Sequence, residues 1–295
     1  MKAKQVVNAL SVDVEEHFQV AAFDSSINRA DWENISSRVE ANTHGVLELF
    51  AAKGVRATFF VLGWIAERYP ALVRHIVAEG HELACHGYSH RKIYTQSKDE
   101  FWQETRRAKG VLEDISGVPV LGYRAASFSI TTESLWALDI LIEEGFVYDS
   151  SIFPVRHDNY GIPGAAPNPS MLTAPSGRRI AELPMSTVGF GGLRLPVGGG
   201  GYFRLYPYWL TRMALKYMNQ ANRGFVFYSH PWEIDVEQPR VTGAPWLSRF
   251  RHYNNLEKFQ SRLELLLDEF PTGTCVDVLR KCDLLPVLAG SDAVD

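Results

Sequence analysis

The sequence predicts an α/β fold in which crossover helices connect the strands of a parallel sheet. Two observations carry this. Short runs rich in β-branched and aromatic residues alternate with longer segments of helical apolar spacing. Several of those short runs also end on an ionisable residue, as strands do where a parallel sheet presents its carboxyl edge to a site. Such alternation gives a sheet that is either doubly wound or closed as a barrel. At 295 residues, 46% hydrophobic and 22% charged, the chain can bury a sizeable core, as one large α/β domain or two small ones.

In chain order, Val6 to Val12 reads as the first strand. Asp13, Glu15 and Glu16 follow at once, so the apolar run is too short for a signal peptide or a membrane span. Arg38 to Lys53 has helical spacing through Val39, Val46, Leu47 and Phe50, and Gly54 closes it. A strand over Val55 to Leu62 leads into a helix over Ile65 to Glu79, stopped by Gly80, and then into a strand and turn ending at His90. Next come a helix over Asp99 to Ile115, a strand over Val118 to Tyr123, a helix over Thr131 to Glu144 capped by Thr131 or Thr132, and a strand over Phe146 to Tyr148.

From Ser151 to Gly201 proline and glycine accumulate, which predicts long loops and a hairpin, with β-like pieces at Ile180 to Leu183 and Thr187 to Leu195. Pro207 to Ala221 reads as a helix, Phe225 to Ser229 as a buried strand, Leu256 to Phe270 as the last helix and Cys275 to Leu279 as strand-like. The tail after Leu288 is expected to fray.

Thirty basic against thirty-four acidic side chains give a net charge of −4. That leaves no electrostatic footprint for nucleic acid and no polybasic membrane patch. Cys85, Cys275 and Cys282 form neither an even disulfide set nor a CxxC pair, so they are expected as buried free thiols in a reducing compartment. With no export signal read, a cytoplasmic location is expected.

The candidate chemistry lies at strand ends. Asp13 and Glu15 stand two apart and so share one side of a strand, which suits a metal ligand beside a general base. His86 and His90 close a strand on a Gly/Ser-containing turn that can aim both imidazoles at one point. Arg124, Asp149 and His230 each follow an apolar run directly. Any one of these has an ordinary structural explanation, but together they describe a site.

This order of motifs, Asp13, His86-x-x-x-His90, Arg124, Asp149-Ser150 and a hydrophobic run into His230, resembles the polysaccharide deacetylases, the NodB-homology fold of carbohydrate esterase family 4, over about Asn8 to Asp235. The wording around Ser11 to Val20, Gly198 to Pro207 and Ser229 to Glu233 is similar to the exosortase-associated branch linked to bacterial exopolysaccharide loci. The resemblance implies a distorted parallel (β/α) barrel over residues 1–240, with a Gly/Pro-rich loop and hairpin insertion, and a helical extension over 241–295. It implies a divalent metal ion, usually Zn2+, on His86, His90 and one carboxylate. By the same analogy Asp13 is the general base, His230 the general acid, Arg124 orients Asp13, Asp149 sets the tautomer of His230, and a backbone N–H near Ser127 meets the oxyanion. The implied reaction removes an N-acetyl group from an amino sugar, with a glycan as partner and neither nucleic acid nor stable membrane insertion.

Two departures stand out. Val14 occupies the place of the family's second aspartate, so Glu15 is assigned as the metal carboxylate with Glu16 as the alternative. Ala126 and Ser127 follow Arg124 where the family carries proline and an aromatic. Gly198 to Gly201 reads as a flexible flap beside a sugar groove, Tyr202 and Trp232 as sugar-stacking candidates, and Arg204 as a ligand for an anionic group. An amidase acting on a small cyclic amide such as allantoin, or a non-catalytic glycan-binding relative, are the competing readings.

Overall fold

The computed structural model describes residues 6–157, 160–191 and 193–285. Its elements are β1 (Asn8–Val14), α1 (Val39–Lys53), β2 (Thr58–Val61), α2 (Gly63–Arg68), α3 (Pro70–Ala78), β3 (Glu82–Cys85), α4 (Lys98–Ser116), β4 (Gly122–Tyr123), α5 (Ala137–Glu143), β5 (Tyr148–Asp149), β6 (Ser170–Thr173), β7 (Arg179–Glu182), β8 (Thr187–Phe190), β9 (Leu193–Pro196), α6 (Gly200–Leu205), α7 (Tyr208–Gln220), β10 (Val226–Ser229), α8 (Trp246–Tyr253), α9 (Phe259–Glu269), β11 (Thr272–Gly273) and α10 (Cys275–Lys281). The main sheet runs β10-β1-β2-β3-β4-β5-β7-β6, with β11 also on β1. All pairings in it are parallel except β6 against β7.

The sheet curls into the expected distorted (β/α) barrel. Its ladder does not close on itself: the segment after β7 bridges the seam, where Ser186 accepts from Val197 N–H through its carbonyl and from Val226 N–H through its hydroxyl. Tyr228 N–H then donates to Gly198 O.

Strand alternation sorts the core into two layers. Leu10, Val12 and Val14, with Phe59, Val61, Leu83 and Cys85, face outward and pack under the helices. Ala9, Phe60, Ala84, Tyr148, Ala181, Val226 and Tyr228 face inward. Small residues alternate with rings there, which lets a narrow barrel fill without voids. By the same parity Ser11, Asp13 and Glu15 continue the inward face of β1, His86 that of β3 and His230 that of β10.

Several elements differ from expectation for local reasons. The helix expected over Ile65 to Glu79 is two, because Pro70 starts α3 at its first turn. The helix expected from Thr131 begins only at Ala137, after Ser134 takes the Thr131 N–H in a turn. Cys275 to Leu279, expected as a strand, is α10: Thr274 and Asp277 form a capping box that outweighs the β propensity of Val276 and Val278. The strand there is β11, just before it. Cys275 and Val276 donate their N–H groups to Thr58 Oγ1 and Glu82 Oε2, so α10 plugs the end of the barrel opposite the site.

Gly198 to Gly201 is not a flap. A Cβ on Gly198 would overlap Val226 O, one on Gly199 the Tyr228 ring and one on Gly200 the Glu233 carboxylate, so these three glycines permit close packing against β10 and the turn after it, while Gly201 is exposed with open space beside it. No disulfide joins the cysteines: Cys85 and Cys275 are buried as expected, whereas Cys282 is exposed. The tail beyond Leu288 lies outside the described residues. Among the described residues no helix is long and apolar enough to cross a membrane.

Candidate active site

At the carboxyl edge of the barrel one pocket is lined by Asp13, Glu15, His86, His90, Ser127, Phe128, Tyr228, His230, Trp232 and His252, among others. β1 supplies its centre. Asp13, 2% exposed, accepts from Arg124 Nη1 at 2.6 Å. The guanidinium is wholly buried, donating also to Ser11 Oγ at 2.9 Å, Ser150 O at 3.2 Å and Ser150 Oγ at 3.1 Å. It lies 4.0 Å above the Phe60 ring. Four hydrogen bonds from one rigid plane thereby tie the ends of β4 and β5 to β1 beneath the pocket.

Glu15, His86 and His90 offer three ligand atoms within 4.8 Å of one another, all buried. His86 Nδ1 lies 2.9 Å from the Arg124 carbonyl, so the ring donates there and keeps the Nε2 lone pair free. Burial pulls His86 down to about 4, leaving it neutral at pH 7. Glu15 Oε2 is 2.8 Å from His90 Nε2, yet it is buried without an aligned hydrogen bond. Two donor atoms aimed at a common third point have that relation. Burial pushes the Glu15 carboxyl up, but His90 and His230 outweigh it and hold it at about 2. A neutral imidazole with a free lone pair, a second imidazole and an ionised carboxylate form the donor set that a zinc-like ion takes, so these residues fit such a group.

Glu16, the alternative carboxylate, is occupied elsewhere. It accepts from Arg38 N–H, Val39 N–H and the Ser37 hydroxyl, capping the start of α1. Ser127 sits half-buried on the pocket wall with φ 53, and Phe128 follows with φ 54, a left-handed turn that a non-glycine residue rarely adopts.

His230 faces Glu15 across the pocket, with its Nε2 3.5 Å from Glu15 Oε1. Its ring stacks on Trp232 at 4.9 Å, and Trp232 stacks on His252 at 4.1 Å. Burial disfavours the imidazolium, but Glu15 and Glu233 overcome this and raise His230 to about 9.

Three expectations are corrected here. Asp149 does not lie against His230: it accepts from the Ser151 hydroxyl at 2.5 Å and sits opposite Glu182 on β7. Burial raises Asp149 to about 6 and Glu182 well above its usual range, since two carboxylates side by side in an apolar setting hold a proton between them. The carboxylate beside His230 Nδ1 is Glu233, at 3.4 Å. The sequence reading missed it, although Pro231 and Glu233 after His230 carry the spacing of a capping turn. Arg204 holds no free anion site, because it is buried and paired with Glu233. Tyr202 lies off the pocket wall, its hydroxyl 3.0 Å from that of Tyr160. Trp232 does line the pocket, with Tyr228 and Phe128 as the other rings.

Fold and site together define an α/β barrel with a Glu/His donor cluster at its carboxyl edge, and comparison with known proteins shows what it is similar to. Residues 22–141 match the polysaccharide deacetylase family model, and residues 150–280 match a domain of unknown function, DUF3473. Over residues 22–141 the chain is similar to the polysaccharide deacetylases. A peptidoglycan deacetylase of Helicobacter pylori is 30% identical over 156 residues, 51% of this chain and 50% of that protein. A peptidoglycan-N-acetylglucosamine deacetylase of Bacillus cereus is 33% identical over 75 residues, 25% of this chain and 27% of that one. The chain thus spans half or less of the length of these curated relatives. A Mycobacterium smegmatis structure of the polysaccharide deacetylase type superposes with a TM-score of 0.62 at 19% identity, covering 100% of this chain and 97% of that one. The Puue allantoinase superposes at 0.58 and 16% identity, over 94% of this chain and 89% of that one. At these identities the two structures show the fold alone.

Proposed function

We propose that the chain is a metal-dependent hydrolase that removes N-acetyl groups from amino sugars of a bacterial exopolysaccharide or its lipid-linked precursor. The observation that carries this is the convergence, in one pocket, of a Glu15-His86-His90 donor cluster with a buried Asp13-Arg124 pair on one side and His230 on the other. The names of the Helicobacter and Bacillus relatives support an N-acetylated glycan as the substrate class.

Glu15, His86 and His90 would hold the divalent ion, Zn2+ in this reading. When bound, that ion supplies Lewis-acid polarisation of the amide carbonyl and makes water a better nucleophile. Asp13, oriented by Arg124, takes the proton of the attacking water as the carbon–oxygen bond forms. A backbone N–H at the Ser127 turn faces the developing oxyanion. His230 delivers a proton to the sugar nitrogen as the carbon–nitrogen bond breaks, releasing acetate and the amine. Trp232, Tyr228 and Phe128 wall the groove against which the sugar packs.

The test combines metal analysis of the purified protein with acetate release from N-acetylglucosamine oligomers, using allantoin as the control substrate. About one zinc per chain is expected in wild type and in Asp13→Asn, and loss of it in His86→Ala and Glu15→Ala, with acetate release abolished in all three variants. Wild type that takes up no metal after zinc reconstitution overturns the reading, and turnover of allantoin in place of the oligomer moves the cyclic-amide reading to the front.

A further inference from the structure

We propose that Glu233, in the turn that follows β10, is the residue that positions His230, and that buried Arg204 locks it in place. This rests on the amide-hydrolase reading of the pocket and adds to it a residue from outside the expected motif set.

Glu233 is 0% exposed, so its charge is answered only by what it touches. One oxygen, Oε2, accepts the His230 main-chain N–H at 3.0 Å and lies 3.4 Å from His230 Nδ1. The other, Oε1, accepts from Arg204 Nε at 2.7 Å. Arg204 spends its remaining nitrogens on main-chain oxygens, His252 at 2.9 Å, Asn254 at 2.8 Å and Arg251 at 3.1 Å. It therefore joins Glu233 to the end of α8 and the residues after it. Gly200 packs directly on the Glu233 carboxylate where a side chain would not fit. Trp232 holds the ring plane by stacking.

A carboxylate at Nδ1 keeps the neutral ring's proton on that nitrogen and turns Nε2 toward the pocket. The proton that reaches the leaving amine then passes through Nε2, the ring atom that faces Glu15 across the site. Asp149, engaged with Ser151 and opposite Glu182, has no such contact in its hydrogen-bond set.

The test uses two leaving groups. An amide must protonate its departing amine, whereas 4-nitrophenyl acetate expels a phenolate that needs no proton. Glu233→Gln, which keeps the shape and removes the charge, is expected to lower kcat for deacetylation of the oligomer by about 100-fold with KM unchanged, and to leave ester hydrolysis within about threefold of wild type. Gly200→Ala, which pushes the carboxylate aside, gives the same asymmetry in weaker form. An equal loss on both substrates, or none on either, overturns the assignment while leaving the deacetylase reading intact. Absence of acetate release from wild type sinks that reading instead, and the positioning is then decided without turnover. Nitrogen-15 histidine spectra recorded where the ring is neutral should show the His230 proton on Nδ1 in wild type and its loss from that atom in Glu233→Ala. An unchanged tautomer in Glu233→Ala overturns the proposal.

Discussion

Arg124 joins strands far apart in sequence through a single buried guanidinium, so removing it leaves Asp13 as a buried charge with its main partner gone. Breaking such a pair from one side costs about 3–5 kcal/mol. Arg124→Met is expected to lower stability by that much in a urea titration, whereas Asp13→Asn, which keeps an acceptor for Arg124, costs about 1–2 kcal/mol. Equal losses would show that Asp13 is not what Arg124 balances. This residue-level arrangement was partly legible in advance. Asp13 and Glu15 were readable because parity along a strand is local, and two residues apart always means one side; His86 and His90 were readable because they stand four apart on one Gly/Ser-containing turn at a strand end. Glu16, one step out of that parity, is turned to α1. Arg204 was misread because its partners, Glu233 and the 251–254 carbonyls, are 29 and 47–50 residues away.

At the scale of elements, α10 shows a cap deciding between helix and strand. The Cys275 to Leu279 run has the composition of a buried strand, and only the Thr274–Asp277 exchange of hydrogen bonds marks a helix start. Thr274→Ala is expected to cost about 1 kcal/mol, read as a lower urea midpoint with unchanged m-value. No measurable loss would mean that burial of Cys275, Val278 and Leu279 alone holds the helix. The glycine run before α6 teaches the converse. It was read as mobile from composition, yet each of Gly198, Gly199 and Gly200 is required by a neighbour on β10 or the turn after it. Composition records that a side chain is absent, and only the fold shows what occupies the space.

For the whole molecule, acid stability follows from a buried imidazole remote from the pocket. His81, 8% exposed, accepts the Ala57 N–H at Nδ1, which requires that nitrogen to be unprotonated. Burial lowers it to about 4. Its folded value is below its unfolded one of 6.5, so the unfolded chain binds the extra proton as pH falls. The contribution of His81 is therefore complete above about pH 6.5, declines toward pH 4 and is flat below. It amounts to about 1–2 kcal/mol, allowing for solvent near the ring. Thermal melts from pH 7 to pH 4 should fall less steeply for His81→Asn than for wild type, and parallel slopes would remove His81 from the acid response.

The sequence by itself determined the alternation of strands and helices, the inward parity of β1, β3 and β10, and the polar residues at their carboxyl ends. Each of these depends on neighbours a few positions away, where backbone geometry leaves little choice. The tertiary structure decided how the curled sheet closes its seam, which end of the barrel α10 plugs, and that Glu233 rather than Asp149 stands against His230. Those outcomes depend on which distant groups share a low-dielectric interior, where every buried charge and N–H must find a partner and the nearest one in space is seldom the nearest in sequence.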